Sequence, residues 1–356
     1  MSENKRYRLT KDEAEILFRY RGLKAASEEA GVDVESVKHG WLKTKQASLF
    51  FKNPLHKDDA ENKLEELSKK LVEDLKQFAP KFPKLIRKEK TKDYLLVIDP
   101  ADIHIGKLAD SFETGEDYNN QIAVKRVKEG VQGILNKAQG FPIDKILFIG
   151  GNDILHIDTP HRTTTSGTHQ DTDSMWYRNF LIAKQLYVDI LLQLIAVADV
   201  HFTYNPSNHD YQSGFFLSDC IKTYFRNCKN ISFDCSIAHR KGYKYGQNLI
   251  GTTHGDGAKH QDLPLLMATE FPVEWSQTKH RYIYTHHVHH KFSKDYVGIT
   301  VESLRSPSGT DSWHHKKGYQ HAPKAVEGFI HHRENGQIAR LTFAYGNRIS
   351  CRMVSN

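Results

Sequence analysis

The sequence is poor in cysteine and lacks long apolar runs. Its 356 residues include only Cys220, Cys228, Cys235 and Cys351, and no two of them form a CxxC pair. This spacing predicts neither a disulfide framework nor a thiolate zinc site. We find no run of about 18 apolar residues that could span a bilayer, and the start, MSENKRYRLTKDEAE, has no apolar core of a signal peptide. We therefore expect a cytoplasmic protein that does not enter a membrane.

Acidic residues are outnumbered, and the excess of basic charge lies near the N-terminus. The chain has 50 Lys and Arg residues against 43 Asp and Glu, which gives a net charge of +7. Residues 1–93 hold 22 basic and 17 acidic residues and end in the basic stretch KFPKLIRKEKTK. Such a segment suits a polyanionic partner, although a solvated lysine-rich face has the same composition.

The first fifty residues have the pattern of three short helices, TKDEAEILFRY, LKAASEEAG and DVESVKHGWLK, with Gly22 and Gly31 between them. Two short helices joined by a tight turn are typical of a helix-turn-helix, whose second helix enters the major groove of DNA. A small bundle used for packing or protein contact is the alternative. In the DNA-binding reading, we expect contacts from Lys38, Lys43 and Lys45.

An amphipathic helical pattern, DDAENKLEELSKKLVEDLKQF, follows and ends at Pro80 and Pro83. We expect a helix-turn-helix-like domain at 1–55, a helical and basic linker at 56–93, and an α/β domain at 94–356. In the last part, YLLVID, KILFIG, VHFTYN, NLIGTTH and RYIYTH have the composition of strands, and two longer segments between them have helical periodicity. Polar residues follow each strand, where sites of α/β sheets gather.

These polar residues form an ordered series of metal-ligand types. In chain order they are Asp102-Ile-His104, Gly151-Asn152-Asp153, Ser207-Asn208-His209-Asp210, His254-Gly255-Asp256 and His287-Val288-His289. Carboxylate, imidazole and amide oxygen are the ligands that divalent cations use to activate water and to hold phosphoryl oxygens. One such segment alone is more often a helix cap or a core hydrogen bond. Five in this order predict a metal centre.

The series resembles the calcineurin-like metallophosphoesterase superfamily, with its pattern DxH, GDxx(D/N), GNH(D/E), H and GHxH. The resemblance spans roughly residues 94 to 310 and implies a four-layered αββα sandwich. It implies one metal ion held by Asp102, His104 and His289, a second held by Asn208, His254 and His287, and Asp153 as the bridging ligand. His209 would be the acid or the transition-state contact. Asn152, Ser207 and His286 stand where the pattern has glycine.

The same comparison separates branches of the superfamily. Protein phosphatases have GDxxDRG and an arginine after GNH(D/E), whereas this chain has NDILHID and NHDYQ. Asp153-Ile-Leu-His156 resembles instead the GDxxH of SbcD-type DNA repair nucleases, in which the histidine supports phosphodiester chemistry. The chain is also similar to phage-type DNA repair exonucleases, which implies a bacterial or phage-infected host cell. We do not expect an SMC-like ATPase partner, because only ten residues follow the last predicted strand.

Two segments are candidates for contact with the substrate. In HRTTTSGTHQDTDSMW, Arg162 is expected either to touch a phosphate backbone or to help cap the long helix that begins near Ser174. In SPSGTDSWHHKKGY, Trp313, Lys316 and Lys317 suit the rim of a nucleic-acid site.

We therefore expect a two-metal phosphodiesterase that acts on DNA, with His209 and His156 as catalytic residues. The ligand set favours Mn²⁺, while Fe²⁺, Zn²⁺ and Mg²⁺ stay open. One alternative is a metal-dependent phosphatase or small-nucleotide phosphodiesterase. The other is an inactive DNA-binding protein on the same fold.

Overall fold

The computed structural model describes residues 41–43, 48–50, 66, 69, 80–87, 93–319 and 321–346. The chain divides into two compact units, Met1–Ala79 and Pro80–Asn356. In the first unit, strands β1 (Trp41–Lys43) and β2 (Ser48–Phe50) pair antiparallel. The predicted third helix is therefore wrong at its last three residues, Lys43 included. Aromatic residues such as Trp41 favour a strand, and the preceding Gly40 weakens a helix. The rest of the predicted helix-turn-helix, with Lys38 and Lys45, lies outside the described residues.

The second unit contains eleven strands among its described residues. They are β3 (Tyr94–Asp99), β4 (Ile143–Gly151), β5 (Asp199–Asn205), β6 (Ile231–Asp234), β7 (Arg240–Tyr245), β8 (Asn248–Thr253), β9 (His280–Thr285), β10 (Phe292–Tyr296), β11 (Ile299–Ser303), β12 (Ala325–His332) and β13 (Gly336–Ala344). The helices are α1 (Ser111–Thr114), α2 (Asn120–Lys137), α3 (Trp176–Val197), α4 (Tyr211–Tyr224), α5 (Leu263–Glu270), α6 (Pro272–Ser276) and α7 (Ser312–Lys317). The strands form a six-stranded sheet, in the order β13-β12-β3-β4-β5-β6, and a five-stranded sheet, in the order β10-β11-β9-β8-β7.

The two sheets pack face to face and carry helices on their outer faces. Leu96 and Ile98 of β3 point to the core under α2, α3 and α4, while Leu95 and Val97 point to the core shared by the two sheets. This alternation follows from the two-residue period of a strand and explains why β3 is apolar throughout. A third core lies between the five-stranded sheet and α5, where Met267 contributes. The prediction of a four-layered αββα sandwich is confirmed.

Parallel pairing brings the site residues to one edge of each sheet. Strands β3, β4 and β5 run parallel in the first sheet, and β8 and β9 run parallel in the second. Their carboxyl ends therefore lie side by side, and each end is followed by one of the five polar segments. Loops at such ends are the usual place for a site in α/β sheets.

Residues 80–87, which the sequence places in the linker, pack against the second unit. The ring of Phe82 stacks on that of Phe225 with centroids 5.3 Å apart. Arg87 forms an ion pair with Asp199, and the backbone N–H of Leu85 donates to a side-chain oxygen of Asn230 over 3.0 Å. The segment belongs to the body that carries the metal-ligand series.

Helix α3 is long and apolar enough to cross a membrane, by length and composition alone. The expectation that no such run exists is therefore wrong. One face of α3 lies in the core of the sandwich through Leu186, Ile190 and Leu194. A long helix that is buried on one side and partly apolar on the other passes the same test as a membrane span.

Candidate metal centre

Five loops converge on one point at the carboxyl ends of the parallel strands. They carry all seven residues that the resemblance implies as metal ligands, and the structure brings their side chains together. These are Asp102 and His104 after β3, Asp153 after β4, Asn208 after β5, His254 after β8, and His287 and His289 after β9.

The backbone of these loops is held in a conformation that few residues adopt. Seven described residues other than glycine have a positive φ, and five of them are candidate ligands: Asp102, His104, Asp153, His287 and His289. A left-handed conformation costs roughly 1 kcal/mol or more for such residues, and it persists only where the surroundings enforce it. Strain of this kind concentrates at functional sites. Hydrogen bonds from the N–H of Asp102 and His104 to the carbonyls of Asn152 and Asp153, both 2.9 Å, hold the first two loops together.

The first metal cluster consists of Asp102, His104 and His289, whose ligand atoms lie within 4.8 Å of one another. Nε2 of His104 is 3.2 Å from Nε2 of His289, and the latter atom is 3.7 Å from Oδ1 of Asp102. The carboxylate of Asp102 also accepts the backbone N–H of His287 at 3.2 Å. All three side chains are buried, so their nitrogen and oxygen atoms face one another rather than solvent.

The second metal cluster consists of Asp153, His254 and His287, with Asn208 beside it. Oδ2 of Asp153 lies 3.3 Å from Nε2 of His254, and Oδ1 of Asn208 lies 2.9 Å from the same nitrogen. Oδ2 of Asp153 is also 3.9 Å from Nε2 of His104 in the first cluster. Asp153 therefore lies between the two clusters, where a bridging carboxylate has to be.

Burial and neighbouring charge perturb the ionisation of the two carboxylates in opposite directions. Burial raises the pKa of Asp102 to about 7, although His254 opposes the shift. Burial would also raise the pKa of Asp153, but His254 and His209 hold it well below its usual range. Burial alone would lower the pKa of His254, but the neighbouring Asp153 outweighs burial and raises this pKa to about 9. Asp153 and His254 therefore favour each other's charged forms.

The remaining imidazoles are kept neutral. Burial is the main reason why the pKa values of His104, His289 and His287 lie below the usual value. A neutral ring has a free nitrogen lone pair, which is the form that binds metal. The cluster thus combines neutral imidazoles with an ionised carboxylate, the donor set of a divalent metal site.

The distances between donor atoms fit divalent ions. Two ligand atoms that each bind one ion at about 2.1 Å lie roughly 3–3.5 Å apart in tetrahedral or right-angle geometry. The closest contacts, 2.9, 3.2 and 3.3 Å, agree with this spacing, and the others are slightly wider. In addition, Nδ1 of His254 is buried and has no hydrogen-bond partner among the described residues, although it lies 4.0 Å from Oδ1 of Asp102. Groups of His and Asp that could hold metal ions are therefore present.

The two histidines that were predicted to be catalytic border the first cluster. The backbone N–H of His209 donates to Oδ1 of Asp153 at 3.0 Å, and its Nδ1 lies 2.9 Å from the carbonyl oxygen of His156. A carbonyl oxygen only accepts, so Nδ1 of His209 carries a proton and Nε2 is left for other contacts. Nδ1 of His156 is 3.2 Å from Nδ1 of His104, and the His156 and His209 rings stack at 5.3 Å.

The structure also shows why two of the replaced glycines are compatible with the site. Ser207 accepts the backbone N–H of Asp153 at 2.8 Å and hydrogen-bonds to Asp210, whose other carboxylate oxygen accepts the N–H of Leu155 at 2.8 Å. These bonds tie the loop after β5 to the loop after β4. Asp210 is fully buried, and sequence reasoning assigned it no role, although it stands in the same motif as His209.

His286 makes a buried pair that the sequence did not predict. Its Nε2 lies 2.9 and 3.0 Å from the carboxylate oxygens of Asp99, and its Nδ1 lies 3.1 Å from the carbonyl oxygen of Thr253. The carbonyl oxygen of Thr253 only accepts, so Nδ1 carries a proton and Nε2 shares the hydrogen bond with Asp99. The pair fixes the start of the loop that carries His287 and His289 to the end of β3.

Three of the residues predicted to contact nucleic acid, Arg162, Lys316 and Lys317, belong to the second unit, and none of them is a member of either cluster. Arg162 is exposed in the loop after β4 and has a positive φ. The alternative that its segment caps α3 is not supported, because the residue before that helix, Met175, makes no side-chain capping bond. Lys316 and Lys317 are exposed on α7.

No family model matches the chain, and no curated protein matches it. Solved structures align with it at low similarity. An archaeal phosphodiesterase is 8% identical, with 71% of this chain and 99% of that chain covered and a TM-score of 0.33. Zinc-complexed Vps29 from Entamoeba histolytica is 10% identical over 71% and 99%, with a TM-score of 0.30. A predicted phosphoesterase from Streptococcus pneumoniae is 12% identical over 72% and 100%, with a TM-score of 0.27. TM-scores this low carry no conclusion about function, so the chemistry of the site rests on its own geometry.

Proposed function

We propose that the chain is a two-metal-dependent phosphodiesterase that hydrolyses DNA. The observation that carries the proposal is the position of Asp153, which lies between two imidazole and carboxylate clusters while its other oxygen accepts the N–H of His209. One residue thus connects both candidate ion positions to the candidate acid. Paired ions of this kind supply an activated water and a clamp on the phosphoryl oxygens when they are bound.

His209 is suited to assist departure of the leaving oxygen. Its Nδ1–H is anchored on the carbonyl of His156, which fixes the plane of the ring and directs Nε2 away from that anchor. The ring stands edge-on to His104 with centroids 4.7 Å apart, so His209 lies beside the first cluster. A proton donated from Nε2 would neutralise the charge that develops on the leaving oxygen.

His156 acts through His104 in this proposal. A ligand histidine is normally oriented by a hydrogen bond to its second nitrogen. His156 is placed for that role, since its Nδ1 faces Nδ1 of His104 on the side opposite His289. Its burial lowers the pKa of His156 well below the usual value and keeps the ring neutral, so that it can accept the bond.

DNA is proposed as the substrate on three grounds: the resemblance of the DILH segment to nucleases, the missing phosphatase arginines, and the basic excess at residues 1–93. The ligand set favours Mn²⁺, with Fe²⁺, Zn²⁺ and Mg²⁺ as alternatives. A phosphatase or small-nucleotide phosphodiesterase would use the same clusters. An inactive DNA-binding protein would have no need for the strained ligand loops.

The test is hydrolysis measured after removal of metals and after reconstitution with each of the four ions. The substrates are single-stranded DNA, duplex DNA, RNA and a chromogenic phosphodiester. We expect activity on DNA that depends on metal and that Asp153→Asn abolishes. Asp219→Asn, the same chemical change on the exposed side of α4, is the control. Activity confined to the chromogenic phosphodiester would favour the small-nucleotide phosphodiesterase, and inactivity on every substrate with every ion would favour the inactive DNA-binding protein.

The N-terminal unit is tested by truncation. Because residues 80–87 pack on the rest of the second unit, the cut belongs after Ala79 rather than at the end of the predicted linker. If the unit delivers the protein to DNA, the truncated chain should bind long DNA less tightly and with a shallower dependence on salt. Each lost phosphate contact should reduce the slope by about one unit. An unchanged affinity and slope would favour the protein-contact bundle.

A further inference from the structure

Helix α7 is fixed beside the first metal cluster by buried interactions. Asp311 caps the helix by accepting the backbone N–H of His314 at 2.8 Å, and it also lies 2.7 Å from Nδ1 of the same residue. The ammonium of Lys107, which is fully buried, is 2.8 Å from the carboxylate of Asp311. Lys107 follows His104 by three residues, so the start of α7 is tied to the loop that carries the first two ligands.

A chain of ring contacts leads from the ligand His289 to the protein surface. The His289 and His314 rings stack at 4.9 Å with an interplanar angle of 18°, and the ring of Trp313 stands against that of His314 at 5.0 Å. Ser312 adds a further anchor by donating to Glu113 of α1 at 2.6 Å. Trp313 is therefore supported by His314, and only that one ring separates it from the candidate ligand His289.

The outer side of α7 presents aromatic and basic side chains together. Trp313 is 54% exposed and Tyr319 is 63% exposed, although their ring centroids are only 5.9 Å apart. The turn at Gly318, with φ +80°, brings Tyr319 back, and the N–H of Tyr319 donates to the carbonyl of His314 at 2.9 Å. Lys316 and Lys317 follow Trp313 by three and four residues, so they lie one turn further on the same side of the helix.

We propose that this surface, the α7 platform of Trp313, Lys316, Lys317 and Tyr319, binds an unpaired nucleotide of the strand whose phosphodiester occupies the metal centre. The inference rests on the proposed function and specifies its substrate as single-stranded nucleic acid. The base stacks on the exposed aromatic rings, and the lysines contact the adjacent phosphates.

Three features favour this occupant. Aromatic rings beside cations are the usual means of binding single strands, because every base has a face to stack and every nucleotide has a phosphate. A base within a duplex has both faces covered by its neighbours, so it cannot use the platform without unstacking. The anchors on Lys107 and Glu113 hold the platform in place beside the site where the phosphodiester is cleaved.

The test compares strands that differ only in their bases. Binding of a labelled oligothymidylate and of an abasic strand of equal length and charge is measured by fluorescence anisotropy, with the full-length protein as purified and again with EDTA. Backbone contacts anywhere in the chain are the same for both strands. We expect the wild-type protein to prefer the strand with bases by roughly 10-fold or more.

The variants assign the preference to the platform. Trp313→Ala should remove most of it, and Trp313→Phe should retain most of it because a ring remains. Phe216→Ala, at a similarly exposed aromatic residue of α4 that lies in neither candidate substrate segment, is the control and should retain it fully. Replacing Lys316 and Lys317 together by alanine should weaken the binding of both strands equally. An oligouridylate arm distinguishes RNA from DNA, and dependence on Trp313 in either arm supports the platform.

Two results would overturn the inference: equal binding of the two strands by the wild-type protein, or an unchanged preference in Trp313→Ala. These results are separate from those of the hydrolysis assay. DNA hydrolysis without a base preference would remove the platform alone. A base preference that depends on Trp313, in a protein that hydrolyses no nucleic acid with any metal, would remove the proposed function alone.

Discussion

Replacing Asp153 by asparagine should weaken both metal positions, whereas replacing Asp102 should weaken only one. The reason is geometric. Oδ2 of Asp153 lies 3.3 Å from a nitrogen of His254 in the second cluster and 3.9 Å from a nitrogen of His104 in the first. Asp102 comes within 4.0 Å of Nδ1 of His254, whereas Asp153 and Asn208 face Nε2 of that ring. The change to asparagine keeps the size of the side chain and removes its charge.

The expected stoichiometries follow from the ligands that remain. With Asp153 shared, each cluster has four candidate protein ligands: Asp102, His104, His289 and Asp153 in the first, and Asn208, His254, His287 and Asp153 in the second. Asp153→Asn removes the anionic ligand that both share and leaves the second cluster with no carboxylate. Asp102→Asn keeps all four candidate ligands of the second cluster. We expect about two ions for the wild type, about one for Asp102→Asn and well below one for Asp153→Asn.

The measurement is metal content by elemental analysis after loading with Mn²⁺ and removal of weakly bound ions, together with calorimetric titration of the metal-free protein. Circular dichroism shows whether each variant is folded, and Asp219→Asn reports any general effect of losing a carboxylate. The bridge is refuted if Asp153→Asn binds one ion with the affinity of the wild type. A wild-type protein without metal above background would refute the metal centre itself.

Three further predictions concern separate parts of the molecule. His209→Gln should retain metal but lower kcat by about 10²- to 10⁴-fold, the usual contribution of an acid catalyst, and steady-state kinetics with full activity would exclude the assignment. In a urea double-mutant cycle, Asp99→Asn and His286→Gln should each cost about 1–3 kcal/mol, because each leaves a buried polar group without its hydrogen-bond partner. The double variant should cost less than the sum of the two, and additive costs would mean that the pair is not coupled. Burial, opposed by Glu116, lowers the pKa of Lys324 from 10.5 to about 8. Between about pH 8 and pH 10.5, Lys324 is therefore protonated in the unfolded chain and neutral in the folded one. The stability of the wild type relative to Lys324→Met should therefore rise with pH from about 8 to 10.5, by on the order of 3 kcal/mol in chemical denaturation, and a flat difference would contradict the burial argument.

The strands and helices that position the site were predictable from local pattern. YLLVID coincides with β3, and RYIYTH differs by one residue from β9. Strands buried on both faces are continuous apolar runs, and the polar residue at which the run stops marks the edge of the sheet. For this reason the candidate ligands could be recognised before their positions in space were known.

The supports of the site could not be found in the same way, because they join distant parts of the chain. Lys107 pairs with Asp311, and Asp99 pairs with His286, over separations of about two hundred residues. In the sequence, a lysine or an aspartate of this kind has the composition of an ordinary surface residue. Only the packing of the two sheets makes Lys107 fully buried and gives it a carboxylate partner.

The same reasoning explains where local pattern failed. Residues 41–43 were assigned to a helix because their polar and apolar residues suit either structure over so short a stretch, and the pairing with β2 decides in favour of a strand. In α3, hydropathy alone indicates a membrane span, whereas the burial of one face in the sandwich accounts for the same residues. Tertiary contacts decided the outcome at both places.

Asn152, the residue before Asp153, combines an unusual backbone conformation with a buried polar side chain. Asn152 has φ +53°, a conformation that glycine adopts freely and that asparagine tolerates better than most residues. Its side chain is fully buried, and neither amide atom has a hydrogen-bond partner among the described residues. A fold selected for stability alone would place glycine here. The backbone carbonyl of Asn152 accepts the N–H of Asp102, and its own N–H donates to the carbonyl of Asn205, so this residue joins the loops of three strands. The unpaired amide of Asn152 therefore destabilises the fold at the residue whose backbone bonds set the distance between Asp102 and Asp153. That distance decides whether the two clusters can share the carboxylate of Asp153.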